Sequence, residues 1–165
     1  MHAGVKAMKK YLLRISYASV YLAIIWTMPR DVLSAESINS KEENAIKAVL
    51  VHFYDGWNTH DVDKMVSVYS EDVDHINTYA RWNEGKPAIR QDLKNFHAGP
   101  GKSSRKTYTI EKMRFIKPDV AVVQVRSLST VGNIGTYVMT KESGEWLVVS
   151  FTNVEYQLAP TEPSR

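Results

Sequence analysis

The sequence predicts an α+β domain: a cone-shaped roll of three N-terminal helices packed on a strongly curved antiparallel (mixed) sheet. Three observations predict it. Apolar residues recur at helical spacing up to about Asn58. Four β-rich runs separated by turn residues fill the C-terminal half. The order is helix, helix, strand, helix, then a four-stranded meander.

The chain has 165 residues, enough for one domain. It opens on Lys6, Lys9, Lys10 and Arg14, followed by a largely apolar run from Ile15 to Met28. A basic start before a short apolar stretch has the form of a secretory signal. The run is shorter than the roughly 20 residues of a comfortable transmembrane helix. Residues 1–35 therefore read as a signal peptide or N-terminal anchor, ending on the small Ser34 and Ala35. The domain, residues 36–158, is expected to be exported, periplasmic or secreted, or tethered outside the cytoplasm by an uncleaved leader.

Ser40-Lys41-Glu42-Glu43 has the form of a capping box and predicts the start of the first helix. Ala45, Ile46, Val49, Leu50, Phe53, Tyr54 and Trp57 then mark its buried face. Asp61 caps a short second helix with Val62, Met65, Val66 and Tyr69 inward. Val73 to Tyr79 reads as a strand and Asn83-Glu84-Gly85 as a turn. Pro87 suits the first turn of a third helix, which buries Ile89, Leu93 and Phe96 and stops at Gly99-Pro100. The four remaining strands are read as Thr107–Ile116, Val120–Thr130, Asn133–Lys141 and Glu145–Gln157. Within the first of these the apolar phase slips between Ile110 and Met113, the mark of a bulge. Ala159 to Arg165 reads as a flexible tail.

Charge excludes one class of partner. The chain carries 21 basic and 18 acidic residues, but five of the basic ones lie in residues 1–35 beside a single acid. What remains is about neutral, so a nucleic-acid footprint on the folded domain is not expected. The basic run Lys102 to Lys106 reads as a solvated loop. With no cysteine, disulfides and thiolate metal sites are excluded. No membrane contact beyond the leader is expected.

Several segments resemble a known family: Trp57-Asn58-Thr59-His60-Asp61, Asp72 to Asn77, Trp82 to Ile89, Pro118 to Val123 and Trp146 to Asn153. They resemble the SgcJ/EcaC family, within the nuclear transport factor 2-like superfamily that also holds ketosteroid isomerases and polyketide cyclases. The resemblance covers about Lys41 to Tyr156. It implies the cone fold, whereas the superfamily mixes enzymes with binding and assembly domains. The chain departs from the family pattern at Thr152, where a histidine often stands, and at Arg90-Gln91-Asp92-Leu93, which lacks the usual mid-helix histidine. No nicotinamide or flavin fingerprint is present, and no cofactor is expected.

His75, Asn77 and Tyr79 alternate onto one face of the first strand and would form a polar stripe, with Trp82 as a lid or wall. A histidine titrating near 6.5 can exchange protons at neutral pH, so His75 is the candidate general acid or base. If that face looks outward, Ile76 and Thr78 pack the core instead. A metal held by His75 and Asp74 fails on geometry, since neighbouring strand residues point to opposite faces. Asn153, deep in the last strand, is a candidate ligand contact, with Asn77, for a developing oxyanion. Arg126 shares a face with Gln124 and Leu128; on the pocket side it would clasp a carboxylate or phosphate. Tyr54 and Trp57 could supply aromatic walls, although packing explains Trp57 as well. His97, near the end of the third helix, could complement the helix dipole.

These residues lead to a small-molecule-binding domain with a partly apolar pocket, suited to isomerase-, cyclase- or dehydratase-like proton transfer. The other reading is a non-catalytic module that binds a peptide or protein partner. Both include a homodimer formed through the sheet, because either alternating set on the last strand is apolar.

Overall fold

The computed structural model describes residues 30–129 and 131–156, with side chains from Asn39 onward. The chain forms two compact units, Met1–Glu42 and Glu43–Arg165. Helix α1 (Arg30–Thr59) runs through their boundary, while the sheet, the other helices and the site belong to the second unit. The leader expectation falls largely on residues outside those described. Among the described residues, no helix is long and apolar enough to cross a membrane.

Helix α1 begins at Arg30, ten residues before the expected capping box. Nothing between Arg30 and Asn39 is a glycine or proline, so no backbone feature stops the helix there. Of its expected face, Ile46, Leu50, Phe53, Tyr54 and Trp57 are buried and Val49 is half-buried against them, while Ala45 is exposed. The helix ends in a Schellman arrangement, with Asp61 N–H donating to the Gly56 carbonyl at 2.8 Å and His60 N–H to the Trp57 carbonyl at 3.2 Å. His60 takes the left-handed position (φ 58°) usually filled by glycine. Asp61 then caps α2 (Val62–Val66), its carboxylate accepting from Lys64 N–H at 2.9 Å. Tyr69, assigned from sequence to that helix, instead opens β1 (Tyr69–Ile76).

A reversal at Asn77–Arg81 leads to β2 (Trp82–Glu84), a short edge strand where the sequence suggested a turn. Helix α3 (Gly85–Ala98) follows at once. Gly85 permits that junction: its φ is +76°, and a Cβ there would meet the Glu71 carbonyl oxygen at 3.3 Å. The meander is β3 (Thr107–Lys117), β4 (Val120–Leu128), β5 (Gly132–Glu142) and β6 (Glu145–Tyr156). The β5–β6 hairpin turns on Ser143 and Gly144, both at positive φ as a two-residue turn requires.

The six strands form one sheet in the order β2-β1-β6-β5-β4-β3. All neighbours are antiparallel except β1 and β6, which run parallel, so the first and last long strands lie side by side. The register shift between Ile110 and Lys112 is the slip visible in the sequence. A second shift, between Val138 and Met139, leaves Val149 as an extra residue in β6. That bulge changes which side chains face in: Trp146, Val148 and Phe151 are buried, so neither simple alternating set holds.

Candidate functional site

Each long strand changes character along its length. On the face covered by the helices, β4 places Ala121, Val123, Val125 and then Ser127. Strand β5 runs in the opposite sense from Met139 and Tyr137 to Gly135 and Asn133. Strand β6 continues past Phe151 to Asn153 and Glu155, and β1 past Val73 to His75 and the following Asn77. The apolar ends pack against the helices as the core. At the polar ends a cavity of about 540 Å³ opens between the sheet, α1 and α3. Gly135 makes room for the Phe151 ring in the cavity wall, since a Cβ there would strike that ring at 2.7 Å.

His75 lies in the wall with 6 % of its surface exposed. The Phe151 ring is 4.9 Å away, centroid to centroid, and Tyr69 lies nearly parallel at 6.1 Å. Its Nδ1 is buried without a hydrogen-bond partner among the described residues. Burial pushes its pKa down to about 4, with Asp92 working against the shift and Lys106 adding to it. The imidazole is therefore neutral at pH 7. Tyr54 and Tyr137 meet through their hydroxyls at 3.2 Å, and Ser127 lines the cavity with them. Desolvation raises the pKa of both phenols, which stay protonated. Two hydroxyls joined by one bond hold two protons, leaving one O–H to donate to another group.

Of the residues picked out from sequence, His75, Asn77, Tyr79, Tyr54 and Asn153 line this cavity. Their engagement differs. Asn77 is committed to its own turn: its Oδ1 accepts from Tyr79 N–H at 3.0 Å and Arg81 N–H at 3.1 Å, and Nδ2 donates to Asp92 at 3.3 Å. Tyr79 is 79 % exposed. Asn153 stands opposite Gly135, and its side chain has no hydrogen bond among the described residues, so its amide is available to a ligand. Trp82 and Arg126 are not in the cavity. Trp82 pairs with Ile76, putting it on the opposite face from His75, and its indole N–H donates to Asp74 at 2.9 Å. Arg126 follows the outward phase set by buried Val125 and Ser127; its Nε donates to Glu111 at 2.7 Å and its guanidinium lies over Tyr156.

The SnoaL-like domain family matches residues 50–155. The chain belongs to that family. No curated protein matches it. Solved structures share its fold at low identity. A cystatin-like-fold domain of unknown function from Nostoc punctiforme is 20 % identical with TM-score 0.66, covering 71 % of this chain and 78 % of its own. A ketosteroid isomerase-like protein from Erwinia carotovora atroseptica is 13 % identical with TM-score 0.61, covering 70 % and 96 %. A calcium/calmodulin-dependent protein kinase type II association domain, so described from Thiobacillus denitrificans, is 17 % identical with TM-score 0.61, covering 67 % and 94 %. These likenesses establish the nuclear transport factor 2-like fold.

Two residues of this SnoaL-like domain escaped the sequence reading. Asp92 is the hub of the mouth, accepting from Arg81 at 2.7 Å, Asn77 at 3.3 Å and Asn83 at 3.4 Å. A signal was present: Asp92 interrupts the α3 stripe of Ile89, Leu93 and Phe96 at helical spacing. Lys106, read as part of a solvated loop, is half-buried with its Nζ 3.8 Å above the Trp57 ring, and it lines the cavity. Pattern could not find it, because its neighbours Lys102 and Arg105 are exposed. His97 also departs from expectation. It is buried against Trp57 and Phe96, and burial lowers its pKa to about 4, so it carries no charge to offer the helix dipole at neutral pH.

Proposed function

We propose that this domain, of the SgcJ/EcaC kind, binds a small, partly apolar molecule in the cavity and is equipped for proton transfer on it. The observation that carries the reading is chemical contrast within one cavity. Phe53, Phe151 and Tyr137 offer apolar surface, while Asn153, the spare O–H of the Tyr54–Tyr137 pair and His75 offer polar atoms that the described residues do not consume. A few convergent polar groups in an apolar cavity fix a ligand's orientation. His75, neutral at pH 7, is the acceptor for a proton leaving carbon or oxygen. The spare O–H of the Tyr54–Tyr137 pair and the Asn153 amide would stabilise the negative charge that develops. Asn77 contributes by shaping the Asn77–Arg81 turn.

The test is unbiased capture. Purified domain is incubated with the producing cell's metabolite extract, washed, and the retained compounds identified by mass spectrometry. Asn153→Ala should lower retention about tenfold, the effect of one lost hydrogen bond at about 1.4 kcal/mol. In deuterated buffer His75→Gln should slow hydrogen exchange into the retained compound. Equal retention by wild type and N153A would dismiss the site. Normal retention with no exchange in wild type would leave binding and remove the proton chemistry.

A further inference from the structure

We propose that Lys106 makes this cavity selective for an organic anion, a small carboxylate- or sulfonate-like head carried on an apolar body. The inference builds on the ligand-binding reading above and names the class of ligand.

Two cationic side chains line the cavity. Arg81 is matched by Asp92 at 2.7 Å. Lys106 has no ion pair among the described residues. A half-buried ammonium without a counter-charge is costly, and a fold that keeps one commonly uses it. Burial lowers its pKa to about 8, consistent with a charge short of solvent and of a partner.

The position is also held firmly. Asn58 clamps the Lys106 backbone from both sides, Oδ1 accepting from its N–H at 2.7 Å and Nδ2 donating to its carbonyl at 2.9 Å. Trp57 supports the ammonium from below at 3.8 Å, and its indole N–H is tied to Ser104 Oγ at 3.2 Å. A cation fixed in advance loses little freedom on meeting an anion. The cavity's two carboxylates do not compete for it: Asp92 receives Arg81 and two amides, and Glu155 is exposed. Lys106 and His75 line the same cavity, so an anion held by the ammonium shares that cavity with the imidazole.

Two fluorescent probes with the same aromatic body separate charge from shape: 8-anilinonaphthalene-1-sulfonate and the neutral N-phenyl-1-naphthylamine. Both are titrated into wild type, Lys106→Met, Lys106→Gln, Lys106→Arg and, as an exposed control, Lys102→Gln. The sulfonate should bind wild type, Lys106→Arg and Lys102→Gln alike, and at least tenfold more weakly to Lys106→Met and Lys106→Gln. The neutral probe should stay within twofold throughout. In wild type alone, 0.5 M sodium chloride should weaken the sulfonate and spare the neutral probe, a readout that needs no variant to fold. Parallel losses for both probes, or no loss for the sulfonate, overturn the assignment of Lys106 while the cavity reading stands. If neither probe enters wild type, the cavity reading fails and this inference with it.

Discussion

His75 sits where two demands oppose each other: the cavity wall needs a side chain that fills apolar space, while an imidazole left in that space loses its hydration. The fold resolves this by keeping the ring neutral, with a pKa near 4 against 6.5 for the free side chain. The unfolded chain then binds the proton more readily than the folded one at any pH between those values, so folding stability falls as the solution is acidified. The contribution is fully present above pH 6.5, declines from there to about pH 4, and is level below that. A shift of this size corresponds to about 3 kcal/mol. His97, also held near 4, works in the same direction over the same window. Urea unfolding at pH 7, 5.5 and 4.5 should show this loss in wild type and a smaller one in His75→Leu. Superimposable profiles would mean that His75 is solvated in solution. The residue scale is also where sequence reading fell short. The alternation of His75 and Asn77 was visible from period two, but the capture of the Asn77 amide by its own turn depends on the path from Asn77 to Arg81. No spacing rule encodes that path.

The elements were legible where local chemistry decided them. The α1 face, the Asp61 cap, the bulge near Ile110 and the turn after Glu142 follow from periodicity, capping and turn preference, and each appears in the structure. The elements that differed were decided by tertiary pairing. Tyr69 fits a helical face in sequence, yet it is drawn into β1, where Val148 is its neighbour across the parallel pair. Strand β2 is only three residues long and exists because Asn83 pairs with His75. Its direct passage into α3 depends on Gly85, whose φ of +76° costs an L side chain about 1–2 kcal/mol. Gly85→Ala should therefore lower unfolding stability by about that amount. It should also loosen the mouth, because Asp92 and Arg81 flank this junction. Thermal denaturation gives the first effect and amide exchange at Asn77–Arg81 the second. An unchanged melting temperature would show that the backbone relaxes out of the left-handed region.

At the scale of the whole molecule, the sheet has one face covered by helices, and among the described residues nothing covers the other. The bare face carries Val122, Ile134, Val138, Leu147 and Val154, with Thr136 and Thr152 between them and Val154 60 % exposed. An antiparallel sheet that ends in water normally presents a polar outer face. Here charge lies on either side of that apolar set, at Asp74 and Glu84 on β1 and β2 and at Lys112, Arg114 and the Arg126–Glu111 pair on β3 and β4. The β6 bulge sharpens the contrast: by turning Phe151 inward it places Ser150 and Thr152 outward and leaves a face of small, β-branched side chains. We propose that this face packs against a copy of itself, since a contiguous apolar surface of small side chains is self-complementary. The expected outcome is a homodimer through the sheet, with light scattering at micromolar concentration giving twice the mass of one chain. Val138 lies at the centre, between Val122 and Ser150, so Val138→Lys should yield a folded monomer with unchanged far-ultraviolet circular dichroism. Because the cavity opens on the other face, this variant should retain wild-type probe binding. A wild-type monomer would reject the dimer, and a Val138→Lys protein that stays dimeric would move the interface elsewhere.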